Sequence, residues 1–343
     1  MIYVAIGQLA GAALEKALSP IVVVDDNLLV GPSRIDIKRH RAVRARYWGN
    51  APSRAVDQLL ARGDGEAICV VIPPTANGLL SLCRVCSKAI ETGRDVHVID
   101  LTAGTSVGAP NGIDPVREAG LDVRRIARRL PAAARWSDLQ VAMAAALWRL
   151  WCRRSPVALS RFCATASAVH TPFANLGCYH AGFFPRVTDR GLSVSRIDEL
   201  ILRQLSREWL TPAKMYASAV ASSSPLAPWL SYTGDLYLVA RLLQWSEHRQ
   251  GTIVERRKES PPGNSEMLAW SFRWREGAEA MVDGLQELGA APPVTVGGAV
   301  AYDAKHPSVC SIDKTGRPYL TRANAFRSSG DTLARCQVDG RKA

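Results

Sequence analysis

Residues Ile21 to Arg34 read IVVVDDNLLVGPSR. A run of β-branched residues ends on two adjacent carboxylates, and Gly31-Pro32 follows. An apolar run without alternation is a strand buried on both faces, as strands of a parallel sheet are. The acids that close it either cap a turn through local backbone bonds or face a ligand. The flanking sequence supports the strand reading. Upstream, Ile2 to Ile6 (IYVAI) is a second short strand, Gly7 punctuates it, and Leu9 to Leu18 has helical spacing before Pro20. Downstream, a basic segment runs to Asn50, and Ser53 to Arg62 has helical spacing. Ala67 to Ile72 (AICVVI) is a wholly apolar strand closed by Pro73-Pro74; Leu79 to Glu91 is helical, and Asp95 to Leu101 (DVHVIDL) is the next strand. Strands separated by helices give βαβ units. Residues 1–115 are therefore expected to be an α/β domain with an open, mostly parallel sheet and flanking helices.

Thr102 to Pro115 reads as a loop, and 116–192 as a helical linker region, most clearly from Trp136 to Arg153. Helical patterns recur at Arg196 to Glu208, Pro212 to Ala221 and Gly234 to Glu247. TIVERR and EMLAWSFRW then flank KESPPGNS as the arms of a hairpin. Three helices followed by a hairpin is the order of a winged helix, so 193–274 is expected to be a winged-helix-like α+β domain. A small α+β extension over 275–324 and a disordered tail over 325–343 complete the expected organisation.

The chain has 343 residues and a formal charge of +12. Hydrophobic residues make up 47 % of it, enough for packed cores. The charge favours anionic partners. The longest apolar stretch starts at Leu139 and is interrupted by Arg149, well short of the ~20 residues that span a bilayer. The first residues lack the basic segment of a signal peptide. The expectation is a cytoplasmic protein without a membrane partner, its 8 cysteines reduced.

Several segments carry a resemblance. They are IYVAIGQLAGAALEKAL (2–18), VVVDDNLLVGP (22–32), CYHAGFFPRVTDRGLSVSRIDELILRQL (178–205) and GDLYLVARLLQWSEHRQGTIVE (234–255). The first three resemble a bacterial family catalogued as domain of unknown function 1835. The last looks like its C-terminal companion, domain of unknown function 3658. The resemblance covers residues 1–274 in patches and implies fold and boundaries, with no activity attached. Where many members carry a Trp followed by acidic and Asp-Gln residues, this chain has IPPTANG (72–78).

In a parallel sheet, ligands bind outside the carboxyl ends of the strands, where helix N-termini offer N–H groups. Gly7, the pair Asp25 and Asp26, and Asp100 fall at such ends. Gly7 lets the chain approach an anion at the start of the following helix; the plain alternative is a turn. Gly31 fixes a loop over the same region. Arg46 and Trp48, after Arg44, are suited to clamp a planar anion; the alternative is a basic surface with an anchoring Trp. Cys83 and Cys86 lie within a helical apolar pattern and read as core. His180, beside Cys178, is either a base or a satisfied buried histidine. Arg256, Arg257 and Lys258 put positive charge on the hairpin. The helix from Gly234 is apolar nearly all round, so base reading is not favoured.

Three functions stay open. The first is a small anionic ligand, such as a nucleotide, held by Gly7, Gly31, Arg46, Trp48 and Asp100, with an interaction or regulatory C-terminal domain. The second is a hydrolase or transferase using Asp25, Asp26 and His180 as catalytic residues. The third is a DNA-binding regulator. No motif specifies a cofactor or a metal, and no pattern sets an oligomeric state.

Overall fold

The strand at Ile21 forms, and it lies at the edge of its sheet. In chain order the first elements are β1 (Ile2–Ile6), β2 (Ile21–Val24), β3 (Gly31–Pro32), α1 (Ile37–Trp48), β4 (Ile68–Ile72), α2 (Ala76–Thr92), β5 (Val96–Asp100) and β6 (Ala134–Arg135). The order across the sheet is β2-β1-β4-β5-β6. β2, β1, β4 and β5 are parallel, with Val4 opposite Val22 on one side and Val70 on the other. β6 closes the far edge antiparallel to β5. The chain steps outward from β1 to β2 and then returns to the other side of β1 for β4, which sets the topological switch point between β1 and β4.

The computed structural model describes residues 1–6, 21–24, 26–48, 59, 65–72, 76–100, 133–188, 191–222, 224–233, 235–248, 253–259, 269–276, 282, 284–285, 288–314 and 316–323. The helices expected at 9–18 and 53–62, the loop over 102–115, the hairpin tip and the tail from Ala325 lie wholly or mostly outside them.

The fold is mixed α/β with parallel strands, as the sequence implies. The chain divides into two units: Met1–Tyr179 with Thr295–Ala299, and His180–Val294 with Val300–Ala343. The first runs well past residue 115 and takes in α3 (Asp138–Trp151), α4 (Pro156–Ala166) and most of α5 (Pro172–Ala181). α3 starts on a capping box: Ser137 Oγ accepts from the Gln140 N–H at 3.3 Å, and Gln140 Oε1 accepts from the Ser137 N–H at 2.9 Å. Its Ala144, Ala145, Leu147 and Trp148 are buried, and α3 packs along α2. α2 is buried from Gly78 to Ala89, its side chains each stabilising by about 1.5–3 kcal/mol if large and apolar. It ends at Gly93, whose φ of +63° suits a left-handed cap.

The second unit holds β7 (Arg186–Thr188), β8 (Gly191–Ser193), α6 (Arg196–Leu202), α7 (Pro212–Ala221), α8 (Leu226–Thr233), α9 (Asp235–Glu247), β9 (Val254–Lys258) and β10 (Trp270–Trp274). Later in the chain, β11 (Val294–Gly297) belongs to the first unit except for Val294, β12 (Ala299–Ala301) belongs to the second except for Ala299, and β13 (Ser308–Ile312) and β14 (Pro318–Arg322) belong to the second. β9 and β10 form the expected antiparallel hairpin. Leu210, between α6 and α7, adds a bridge to Phe272 with N–H···O distances of 3.0 and 2.9 Å. Another sheet has the order β14-β13-β7-β8. Gly182 is needed for packing: a Cβ there would lie 2.2 Å from the Trp229 ring. No helix among the described residues is long and apolar enough to cross a membrane.

Candidate functional site

Asp26 follows β2 and turns inward, with only 7 % of its side chain exposed. Two helices deliver its partners. α1 begins where Asp36 Oδ1 accepts the Arg39 N–H at 2.8 Å, an N-cap bond. The i, i+4 spacing of a helix then puts His40 and Arg44 on one buried face. Arg44 Nη2 donates to Asp26 Oδ1 at 2.8 Å and also to the Asn27 carbonyl; Nη1 donates to the Val30 carbonyl. Arg84, from α2, donates through Nη1 to Asp26 Oδ2 at 3.2 Å. His40 Nε2 lies 3.0 Å from the same oxygen. The Arg34 N–H approaches His40 Nδ1 at 3.2 Å, so Nδ1 accepts and Nε2 carries the proton.

The electrostatics agree with this tautomer. Burial, the larger effect, lowers the pKa of His40, against the hydrogen bond to Asp26, and keeps the ring neutral. Burial alone would raise the pKa of Asp26. The His40 hydrogen bond, Arg44 and Arg84 more than cancel it, holding the carboxyl well below the usual carboxylate range. Aromatic rings border the cluster: the Arg84 guanidinium lies 5.8 Å from the Trp148 ring and that of Arg44 5.7 Å from Trp48.

Asn77, in the first turn of α2, ties the start of that helix to the loop after β2. Its Nδ2 donates to the Asp26 carbonyl at 3.1 Å, and its Oδ1 accepts the Leu28 N–H at 2.8 Å. β1 lies between the two strands that these segments follow, so the join falls at the carboxyl end of the switch point.

Of the residues singled out in the sequence, Asp26, Gly31 and Trp48 border this cluster. Gly31 has φ +82°, and a Cβ on it would lie 2.8 Å from the Tyr47 ring and 3.0 Å from Arg44 Nη1, so the position requires glycine. Gly7 and Asp25 lie outside the described residues. Asp100 ends β5, and its side chain is likewise outside the description. Arg46, expected to clamp the ligand, is exposed; Arg44, half a turn earlier, points inward instead. His180 is buried in the second unit, its ring 5.0 Å from Phe184, and burial lowers its pKa to about 3. Cys83 and Cys86 are fully buried thiols whose pKa values burial raises, as core cysteines.

Arg256, Arg257 and Lys258 are exposed on β9. Arg256 pairs with Glu247 and lies 5.1 Å from the Trp270 ring; Arg257 pairs with Glu259 at 2.7 Å. Trp209 is flanked by Arg257 at 4.8 Å and Arg273 at 4.5 Å. A second buried carboxylate, Asp198 on α6, accepts from Arg241 Nε at 2.6 Å and Nη2 at 2.8 Å, from the Tyr302 hydroxyl at 2.6 Å and from Trp245 Nε1 at 3.2 Å. It pins α9 and the residue after β12 to α6. Among the described residues, no group of His, Cys, Asp and Glu is arranged to hold a metal ion.

The residues missed in the sequence are His40, Arg44 as an inward group, Asn77 and Arg84. Arg84 left one legible trace, a lone cation in the apolar pattern LLSLCRVC (79–86). No protein-family model matches the chain, and no curated protein matches it.

Proposed function

We propose that the first unit binds a small anionic ligand, a nucleotide or another phosphorylated compound, at the carboxyl edge of its parallel sheet. The observation that carries this reading is the convergence of Arg44 and Arg84, from two helices, on Asp26 at the end of β2. Arginine forks suit phosphate and carboxylate groups, and the half-buried Arg34 stands beside this cluster. The second unit is a winged-helix-like interaction or regulatory module. The order α6, Leu210 bridge, α7, α9, β9, β10 supports that topology, with α8 as an addition. The motif likeness to the families of unknown function 1835 and 3658 fits the same two-part reading.

The other readings have less support. Asp26 already accepts from three side chains and is a poor base, which weighs against a hydrolase or transferase built on Asp25, Asp26 and His180. A DNA reader needs cations on the open face of α9. The partly exposed positions described there are Ala240, Leu243, Gln244, Ser246 and Glu247.

Thermal denaturation of the intact protein against nucleotides, sugar phosphates and inorganic phosphate tests the proposal. A ligand at a hundred times its Kd stabilises by about 2.7 kcal/mol. The expected result is a raised Tm that weakens in Arg34→Gln. A panel without any shift overturns the reading.

A further inference from the structure

We infer that the site takes a tetrahedral oxyanion of the phosphate kind, and that the Ser81 hydroxyl is one of the groups that binds it. This rests on the anion-binding reading above and narrows it to a ligand chemistry and a residue.

Asn77, Ser81, Arg84 and Lys88 recur at i, i+4, i+7 and i+11 along α2, which places them in one stripe. Asn77 and Arg84 both reach Asp26, and Ser81 stands between them on the helix. Ser81 is 0 % exposed, yet its Oγ has no hydrogen-bond partner. Ser33 Oγ, directly after β3, and Arg44 Nε are likewise buried without a partner. Buried polar groups left unpaired are rare, and these three belong to Arg44, which bonds Asp26, to Ser33, whose neighbour Arg34 bonds His40, and to Ser81, between Asn77 and Arg84 on α2; together they call for a partner.

The chemistry of these atoms says what the partner is. Arg44 Nε can only donate, and both hydroxyls can donate. The acceptors nearby are already engaged: Asp26 Oδ1 by Arg44, Asp26 Oδ2 by His40 and Arg84, and the Asp26 carbonyl by Asn77. The local deficit is therefore in acceptors, and the surrounding charge is cationic. An ammonium group offers only donors, and a neutral hydroxyl adds a further donor beside its lone pairs, so neither relieves the deficit as an anion does. A carboxylate offers two oxygens in one plane, whereas these donors come from α2, from the residue after β3 and from α1. A phosphate group offers acceptor oxygens in tetrahedral directions and, when fully deprotonated, asks for no acceptor from the protein.

The test uses the full chain with inorganic phosphate, sulfate and acetate at matched ionic strength, read by calorimetric titration and by Tm. Phosphate and sulfate are expected to raise Tm and acetate to do so far less. Ser81→Ala should weaken phosphate binding by about tenfold or more, the loss of one bond to a charged group. Its Tm in chloride should not fall, because no described bond is removed and alanine favours the helix. Ser33→Ala is the second variant and should act in the same direction. If acetate matches phosphate, or both alanine variants bind phosphate as tightly as the natural chain, the inference is overturned while the anion reading survives. If none of the three anions binds and the nucleotide panel is also silent, the anion reading itself fails.

Discussion

Asp26→Asn keeps the shape of the side chain and removes its charge. Arg44 is then fully buried, and Arg84 nearly so, without the carboxylate that both face. Stripping one partner from a buried pair costs about 3–5 kcal/mol, because the remaining charge stays desolvated. Two cations share this carboxylate, so the upper part of that range applies. Urea unfolding followed by tryptophan fluorescence is a direct assay, since Trp148 lies against Arg84. The pH dependence has a definite sign. The folded carboxyl titrates below its ordinary value of 3.8, so its contribution is present above that pH and is lost as the solution becomes more acid. The gap between natural and variant chains should therefore persist through neutral pH and shrink in acid. Phosphate should narrow it at neutral pH by supplying the missing negative charge. A loss below about 1 kcal/mol would refute the reasoning, for the arginines would then be neutralised elsewhere.

Gly31→Ala should destabilise by about 1–3 kcal/mol in the same assay, since it forces a side chain into a left-handed backbone and onto the Tyr47 ring. Tyr302→Phe should cost about 1–3 kcal/mol, because it leaves the buried Ser195 N–H, now 2.6 Å from the phenol oxygen, without an acceptor. His180 has a folded pKa of about 3 against an ordinary 6.5, so the unfolded chain takes up the proton first and stability falls as pH drops below 6.5. His180→Leu should flatten that slope between pH 6.5 and 4.5, above the carboxylate range, by up to about 1.4 kcal/mol per unit; an unchanged slope would show that the ring is not held neutral by burial.

The sheet was legible because IYVAI, IVVV and AICVVI leave no polar face, and strands covered on both sides have that signature. The inward side of α1 was not. Lys38-Arg39-His40-Arg41 reads as a solvated cluster, yet the buried residues of this helix are His40 and Arg44. Hydropathy assigns cations to the surface and has no means of detecting a carboxylate that draws two of them inside. Asp26 was visible as a strand-end acid, but its partners come from positions 14 to 58 residues away. The apolar circumference of α9 announced a buried helix. Its pin through Arg241 and Asp198 to Tyr302, a residue 104 positions from Asp198, left no local trace.

The parallel pairing of Val296 and Gly297 with Gly31 and Pro32 has a consequence for biosynthesis. Gly297 also accepts the Ser33 N–H at 2.8 Å, so the loop that begins at Asp26 is fastened by residues translated much later. At ordinary elongation rates of about 5–20 residues per second the ribosome needs a few tens of seconds to make the intervening stretch. A nascent chain therefore carries an unfinished hem beside Asp26 for that interval, and a recombinant fragment cut after α5 would carry it permanently.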